Sequence, residues 1–573
     1  MGKNLIVRFA GEGGGGFVTS ADSLAQAAAR VGYHVQTFAT YPSQIKGGPV
    51  WAQARISTEE VLASGDSLDV LVAMNRYAFE HHVEELSEGG VLLYNSEEFE
   101  LEPGEFAGRA LPVKVDELAR STGSPITASM VLVGVLGGLA SIPQEYFKDF
   151  VSERFNRGRA NDEVIIKANH EALGLGYEAA AASGFAVEGL DAPPESKEQR
   201  VLISGFQSLA MGAIAAGLDT FIGYPISPAT TTLVFMEQNL TGPDKYVGQA
   251  SSEIEAINAL VGSSFGGKKT MTSTAGPGVS LMGEGLGLAW MAEIPLVVLD
   301  VQRGGPATGL PTKTEQSDLL TAMNPGHGDM SVPVIAPGTI EECFWAGAKA
   351  LNWAERYQGP VLLLSEMMLA ERTQDIVKPD VSKVVAEGRV VSKGEHGNER
   401  YKGDSITPFP VPGGPGAYVA NASEHDDQGD TTHSPDVHVE KTHRRFSKLG
   451  LLNDGTYESD NTSASIAMMP WGGSKGSALA AYRQLRAEGV DVGWYYTMFL
   501  NPLPEALLEE LLSKDLVLVP ELNYLGQLSM VLRGKRVRAE SLTQYTGLPF
   551  KVNELAARIR EAVREHSGKL AAV

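Results

Sequence analysis

The stretch from Ser251 to Thr314 constrains the fold more than any other part of the chain. Ser252 and Glu255 stand in the Ser-x-x-Glu relation of a helix start, and Ile254, Ile257, Leu260 and Val261 recur at helical spacing behind them. Lys269 to Thr274 predicts a strand, Ala275-Gly-Pro-Gly278 a loop, Val279 to Glu293 a helix, and Leu296 to Val301 a second strand that is almost wholly apolar. This is a βαβ unit whose strands are buried on both faces. Ligands of such sheets sit beyond the carboxyl ends of the strands, where Thr274 to Gly278 and Gln302-Arg303-Gly304-Gly305 emerge. Arg303, in a glycine-bounded loop at that edge, suits a carboxylate held by two parallel hydrogen bonds, although an arginine there also serves as an ordinary surface or ion-pair residue. Glu253 falls in the first helical turn, where the helix dipole by itself favours an acid.

Upstream, Phe221 to Thr232 ends another strand in a proline-bracketed turn whose hydroxyls can cap the helix that follows. Four strings now stand in order: GYPISPAT, SSEIEA, TSTAGPG and VQRGGPATGLPTKTEQSDL. In sequence and spacing they resemble the α subunit of 2-oxoacid:ferredoxin oxidoreductases with a fused γ domain, most nearly the 2-oxoglutarate enzymes. The resemblance extends over nearly the whole chain.

The length of 573 residues predicts three or four domains, and the alternation of elements and the resemblance imply three α/β domains. A formal charge of -23 without a basic block excludes nucleic acid and anionic membrane surfaces as partners. The longest apolar run, around Ala128 to Ile142, is short and broken by Ser and Gly, and Met1-Gly-Lys-Asn passes at once into a strand. The expectation is a soluble, cytoplasmic protein. Cys343 is the single cysteine, so this chain cannot by itself supply the four thiolates that an iron-sulfur cluster usually takes. Its amphipathic surroundings predict a buried small hydrophobe.

Five segments are expected. Residues 1–186 read as a Rossmann-like γ-type domain, with Gly11, Gly13 and Gly16 in a G-x-G-x-x-G pattern. The ribose-binding acid is absent between Gly32 and Thr40, so the dinucleotide site is incomplete. A polar, proline-bearing linker spans 187–200, and the domain that holds the opening stretch spans 201–380. Residues 381–460, rich in Gly, Pro, Asp and His, read as a solvated, irregular crossing; the spacing of its histidines matches no closed metal site. Residues 461–573 alternate strand and helix like a transketolase C-terminal domain, with Asn523 and Gln527 read as capping and packing residues. His81-His82 is no metal pair, because adjacent helical residues do not share a face. Gly262 to Lys268 nearly spells a phosphate-binding loop, but it follows a helix and precedes a strand, the reverse of the required order.

The resemblance implies a thiamine diphosphate pyrimidine-binding domain over 201–380, with Glu253 set against the aminopyrimidine ring and Tyr224, Pro225, Ile226 and Thr274 as further coenzyme contacts. It implies that Ser227 and Arg303 bind the 2-oxoacid, with Thr230, Lys313 and Lys46 as candidates for a second carboxylate; Lys46 also suits coenzyme A. No Gly-Asp-Gly string for the diphosphate exists in this chain. A β subunit is therefore expected to supply the diphosphate and Mg2+ site and a 4Fe-4S cluster, in an (αβ)2 enzyme. That enzyme would convert 2-oxoglutarate and coenzyme A to succinyl-CoA and CO2, with electrons passed to ferredoxin. Pyruvate or branched-chain 2-oxoacid specificity, or a dinucleotide-dependent dehydrogenase built on the Gly11 loop, are the alternatives.

Overall fold

A computed structural model describes residues 4–14, 16–40, 48–187, 190–195 and 198–571, with side chains to residue 566. The chain forms two compact units: Met1–Ile203 with Glu371–Lys378, and Ser204–Ala370 with Pro379–Val573.

The first unit is built on strands β1 (Asn4–Glu12), β2 (His34–Thr40), β3 (Pro49–Ser57), β4 (Leu68–Ala73), β5 (Leu86–Asn95), β6 (Arg109–Val113) and β7 (Arg200–Ser204), joined by β14 (Thr373–Val377). Their order is β6-β5-β4-β1-β3-β2-β14-β7. β1, β4, β5 and β6 run parallel, as a Rossmann-like half requires. β3, however, lies antiparallel between β1 and β2, so the glycine-bounded turn before helix Phe17–Val31 does not open a simple parallel βαβ unit. β14 brings residues 371–378 into this unit. The carboxylate of Asp375 accepts hydrogen bonds from Val35 N at 2.7 Å and Arg200 Nε at 2.7 Å, which ties residues 371–378 to the first unit's sheet. Helix Ala128–Leu139 lies where the apolar run placed it, inside the core.

The second unit holds two sheets. The larger comprises β8 (Thr220–Gly223), β9 (Tyr246–Gln249), β10 (Thr270–Thr274), β11 (Leu296–Gln302), β12 (Val334–Ile335), β13 (Pro360–Glu366) and β18 (Phe499–Asn501), in the order β18-β12-β13-β11-β10-β8-β9. All pairs are parallel except β12 with β18. β10 and β11 are wholly buried, β11 in keeping with its apolar sequence and β10 although four of its five residues carry hydroxyls. Helices Gly205–Ala215 and Ile340–Tyr357 approach closely: a Cβ on Gly212 would meet Phe344 O at 1.8 Å, and one on Gly347 would meet Leu209 O at 2.2 Å. Cys343 is fully buried on the second of these helices.

The smaller sheet contains β15 (Glu458–Asp460), β16 (Ile466–Met468), β17 (Gly493–Tyr496), β19 (Leu516–Glu521) and β20 (Ala539–Thr543), in the order β15-β17-β16-β19-β20. It repeats the predicted alternation, yet it is no separate body, because β18 from the same region extends the larger sheet.

Residues 381–460 are not simply solvated. They contain helix Pro435–Ser447, and Arg400, Tyr401, Phe409, His425, Arg444 and Lys448 are all buried. The cause is Glu293, buried at the end of helix Gly276–Met291 with φ 52°. Arg444 grips its carboxylate twice, at 2.8 and 3.1 Å, Lys448 reaches it at 3.2 Å, and Arg400 lies 3.7 Å away. A buried anion requires such pairing, and here the pairing folds the segment down.

Candidate active site

The carboxyl edge of the larger sheet is where the functional side chains meet. From β8 the chain passes through helix Thr230–Asn239 to β9 at one side, whereas from β10 it passes through helix Gly276–Met291 to β11 on the other. Connections that diverge in this way leave a crevice between β8 and β10, the usual ligand position in an open α/β sheet.

Glu253 begins helix Glu253–Phe265. Ser252 caps it by accepting from Glu255 N at 3.1 Å. Glu255 does not complete the reciprocal box; its carboxylate accepts instead from Ser251 N and Oγ, at 2.6 and 2.5 Å. The cap therefore turns Glu255 to solvent and Glu253 inward, where it is only 5% exposed beside Ile254 at 52%. Among the described residues none donates a hydrogen bond to the Glu253 carboxylate.

Thr274, at the end of β10, and Gly278 close one side of this position. Residues 276–278 form the first turn of helix Gly276–Met291 rather than the expected loop. A Cβ on Gly278 would lie 1.9 Å from Thr274 Oγ1, 2.9 Å from Glu253 Cγ and 3.0 Å from Glu253 Oε1. The three residues are thus brought together, and the Thr274 hydroxyl is buried without a hydrogen-bond partner among the described residues.

Arg303 follows β11 and reaches the turn after β8. Its Nη1 donates to Ser227 O at 2.6 Å, which anchors the turn after β8. Ser227 is exposed, Tyr224 is 38% exposed, and Pro225 and Ile226 are half-buried. The Thr230 hydroxyl donates back to Ile226 O at 3.0 Å. One guanidinium nitrogen of Arg303 is thus engaged with the protein, and its buried Nε has no described partner. Lys313 stands apart from these contacts. Its backbone closes a turn with Gly304 at 3.1 Å, and its Cβ packs against Gly547. Burial lowers the affinity of its amine for a proton. Lys46 lies outside the described residues.

Two acids under the site were not singled out from the sequence. Asp300, on β11 in register with Thr274 of β10, is completely buried, and neither carboxylate oxygen has a described partner. Burial pushes its carboxyl well above the usual range; Asp318 adds to this and Arg303 opposes it. Asp318 is pushed up to about 6, by burial first and Glu315 second, again against Arg303. An acid inside the apolar run LVVLDV was the available signal, because a strand buried on both faces rarely carries one. The loop that carries Asp318 is pinned from the smaller sheet: Gln316 donates to Trp471 O at 2.7 Å, Asn523 to Gln316 O at 3.0 Å and Gln527 to Ser317 O at 2.6 Å. Capping and packing are therefore what Asn523 and Gln527 do.

Comparison with known proteins agrees with this geometry. Residues 211–444 match the family described as pyruvate flavodoxin/ferredoxin oxidoreductase, thiamine diphosphate-binding, and residues 6–179 match pyruvate ferredoxin/flavodoxin oxidoreductase. The 2-oxoglutarate oxidoreductase subunit KorA of Mycobacterium tuberculosis is 33% identical, across 99% of this chain and 92% of its own length. The 2-oxoglutarate synthase subunit KorA of Methanocaldococcus jannaschii is 35% identical across 57% of this chain and 89% of its own. Among solved structures, the 2-oxoglutarate:ferredoxin oxidoreductase of Magnetococcus marinus, with 2-oxoglutarate, coenzyme A and succinyl-CoA bound, superposes with a TM-score of 0.92 at 35% identity, covering 98% of this chain and 100% of that one. With site geometry and full-length similarity in agreement, the chain belongs to the α subunits of the 2-oxoacid:ferredoxin oxidoreductases.

Proposed function

We propose that this chain is the α subunit of a 2-oxoglutarate:ferredoxin oxidoreductase that forms succinyl-CoA and CO2 from 2-oxoglutarate and coenzyme A. The observation that carries the proposal is Glu253, a carboxylate turned inward at the sheet's switch point, without a hydrogen-bond donor among the described residues and walled by Thr274 and Gly278.

The donor set fits one end of thiamine diphosphate. Glu253 would hydrogen-bond the aminopyrimidine ring and hold its imino tautomer, and the Thr274 hydroxyl is a second free polar group on the same wall. When bound, the coenzyme supplies the nucleophilic carbon that a 2-oxoacid needs in order to lose CO2. Tyr224, Pro225 and Ile226 would flank the ring from the turn that Arg303 anchors. Arg303 would take the substrate carboxylate, with the Ser227 hydroxyl beside it. Thr230 and Lys313 are the candidates for the distal carboxylate, whose burial without a partner would be costly.

The other half of the chemistry belongs to a partner. With no Gly-Asp-Gly string and one cysteine, this chain leaves the diphosphate, Mg2+ and a 4Fe-4S cluster to a β subunit, in an (αβ)2 assembly that reduces ferredoxin. Among the described residues no helix is long and apolar enough to cross a membrane, and the proposal places the enzyme in the cytoplasm.

Co-expression with the β subunit, followed by assay of coenzyme A-dependent ferredoxin reduction on 2-oxoglutarate, pyruvate and branched-chain 2-oxoacids, tests it. A preference for 2-oxoglutarate is expected. Equal or better turnover of the other acids would overturn the substrate assignment, and NAD(H) reduction in place of ferredoxin would overturn the class.

A further inference from the structure

The aspartates beneath Arg303 have no part in the function so far described. Asp300 is fully buried on β11 with both oxygens unpartnered among the described residues, and the Nε of Arg303, three residues on, is buried and unpartnered as well. Asp318 packs against the start of helix Gly276–Met291: a Cβ on Gly276 would meet its carboxylate oxygens at 2.7 and 2.9 Å. Its backbone N–H donates to Gln302 Oε1 at 3.1 Å, which fixes it next to the end of β11. The charged groups that act on Asp318 are Asp300 from β11, Arg303 from the following loop and Glu315 from its own loop.

With Asp300 neutral, an ionised Asp318 balances Arg303, and an incoming carboxylate leaves the triad with a net negative charge in a site of low polarity. Such a site lowers its charge by binding a proton. We propose that Asp300 and Asp318 set the charge balance around Arg303, and that capture of a 2-oxoacid carboxylate by Arg303 is accompanied by uptake of one proton from solvent onto the aspartate pair. This rests on the assignment of Arg303 to the substrate carboxylate. Asp300 remains a neutral acid in the low-polarity interior. Asp318, nearer the rim, is the member that changes state.

The test uses the complete complex with its β subunit. Titration calorimetry with glutarate, which carries both carboxylates and no ketone, is run near pH 7.5 in two buffers of different ionisation heat. Uptake of close to one proton is expected. The KM for 2-oxoglutarate should rise by about tenfold per pH unit above neutrality without a matching change in kcat. Asp318→Asn should abolish that slope, and Asp318→Glu should restore it. Zero proton uptake in the unaltered complex, or a slope that survives Asp318→Asn, overturns the proposal; if Asp318→Asn fails to assemble, the proton count of the unaltered complex decides. Arg303→Lys separates the two assignments. Unchanged glutarate binding in that variant removes Arg303 from the carboxylate, whereas weakened binding together with zero proton uptake defeats only the aspartate pair.

Discussion

Gly278 and Thr274 meet with no room between them: a Cβ on the glycine would stand 1.9 Å from the threonine Oγ1. Thr274 is held in β10 and its side chain is β-branched, so it cannot simply swing away. Gly278→Ala should therefore displace the wall against Glu253, at a cost in kcat of about 10- to 100-fold and in stability of about 1–3 kcal/mol. Steady-state kinetics and thermal unfolding of the assembled enzyme check both. Adding Thr274→Ala, which deletes the clashing oxygen, should recover most of the stability; failure to do so would place the strain elsewhere.

Glu253→Gln keeps the shape of the side chain and removes its capacity to hold and return a proton. Turnover is expected to fall by about 10²- to 10⁴-fold, with subunit assembly and coenzyme content unchanged. A variant of normal activity would leave Glu253 as a dipole-favoured acid at a helix start and nothing more.

Arg303→Lys replaces a planar fork with a point charge. Because Nη1 of Arg303 also holds Ser227 O, the substitution loosens the turn after β8 and, in the proposed role, removes the second donor to a carboxylate. The KM for 2-oxoglutarate should rise at least about tenfold, with a smaller change in kcat. A kcat effect alone, at constant KM, would show that Arg303 acts on the reacting centre and not on the carboxylate.

These sites differ in how plainly the sequence announces them. Ser252 marks the start of the Glu253 helix because capping is local, and the spacing of Ile254, Ile257 and Leu260 is a property of one helix. β10 and β11 were legible for the same reason, each as a short local run. Residues Gly276 to Gly278 were expected in a loop because their composition suits a turn, but glycine and proline are also tolerated in a first helical turn. β14 escaped notice because its partner β2 lies more than three hundred residues away in sequence. The cations around Glu293 sit in a stretch that reads as solvated, and only the tertiary fold shows that Arg400, Arg444 and Lys448 converge on one buried anion.

That convergence gives the last prediction. Glu293 is the only carboxylate bound to Arg444, Arg400 and Lys448 in the salt bridges found among the described residues. Glu293→Gln keeps the volume and leaves three buried cations facing one another, so the second unit should lose about 3–5 kcal/mol of stability. Glu293→Asn, whose side chain tolerates the left-handed backbone found there, should be no better, since charge and not φ is what has been lost. The pH dependence has two arms. Burial raises the Glu293 carboxyl, but Lys448, Arg444 and Arg400 outweigh it and hold the group far below the usual range, so its contribution is complete above about pH 4.5 and drains away on acidification. Lys448 is lowered to about 8, by burial first and against the pull of Glu293. The unfolded chain therefore binds more protons than the folded one between about 8 and 10.5, and stability should rise with pH across that window. Unfolding midpoints recorded from pH 3 to 10 should show the acid arm vanish in Glu293→Gln and the alkaline arm vanish in Lys448→Met. Persistence of the acid arm in Glu293→Gln would assign it to other carboxylates and remove this cluster as the anchor of residues 381–460.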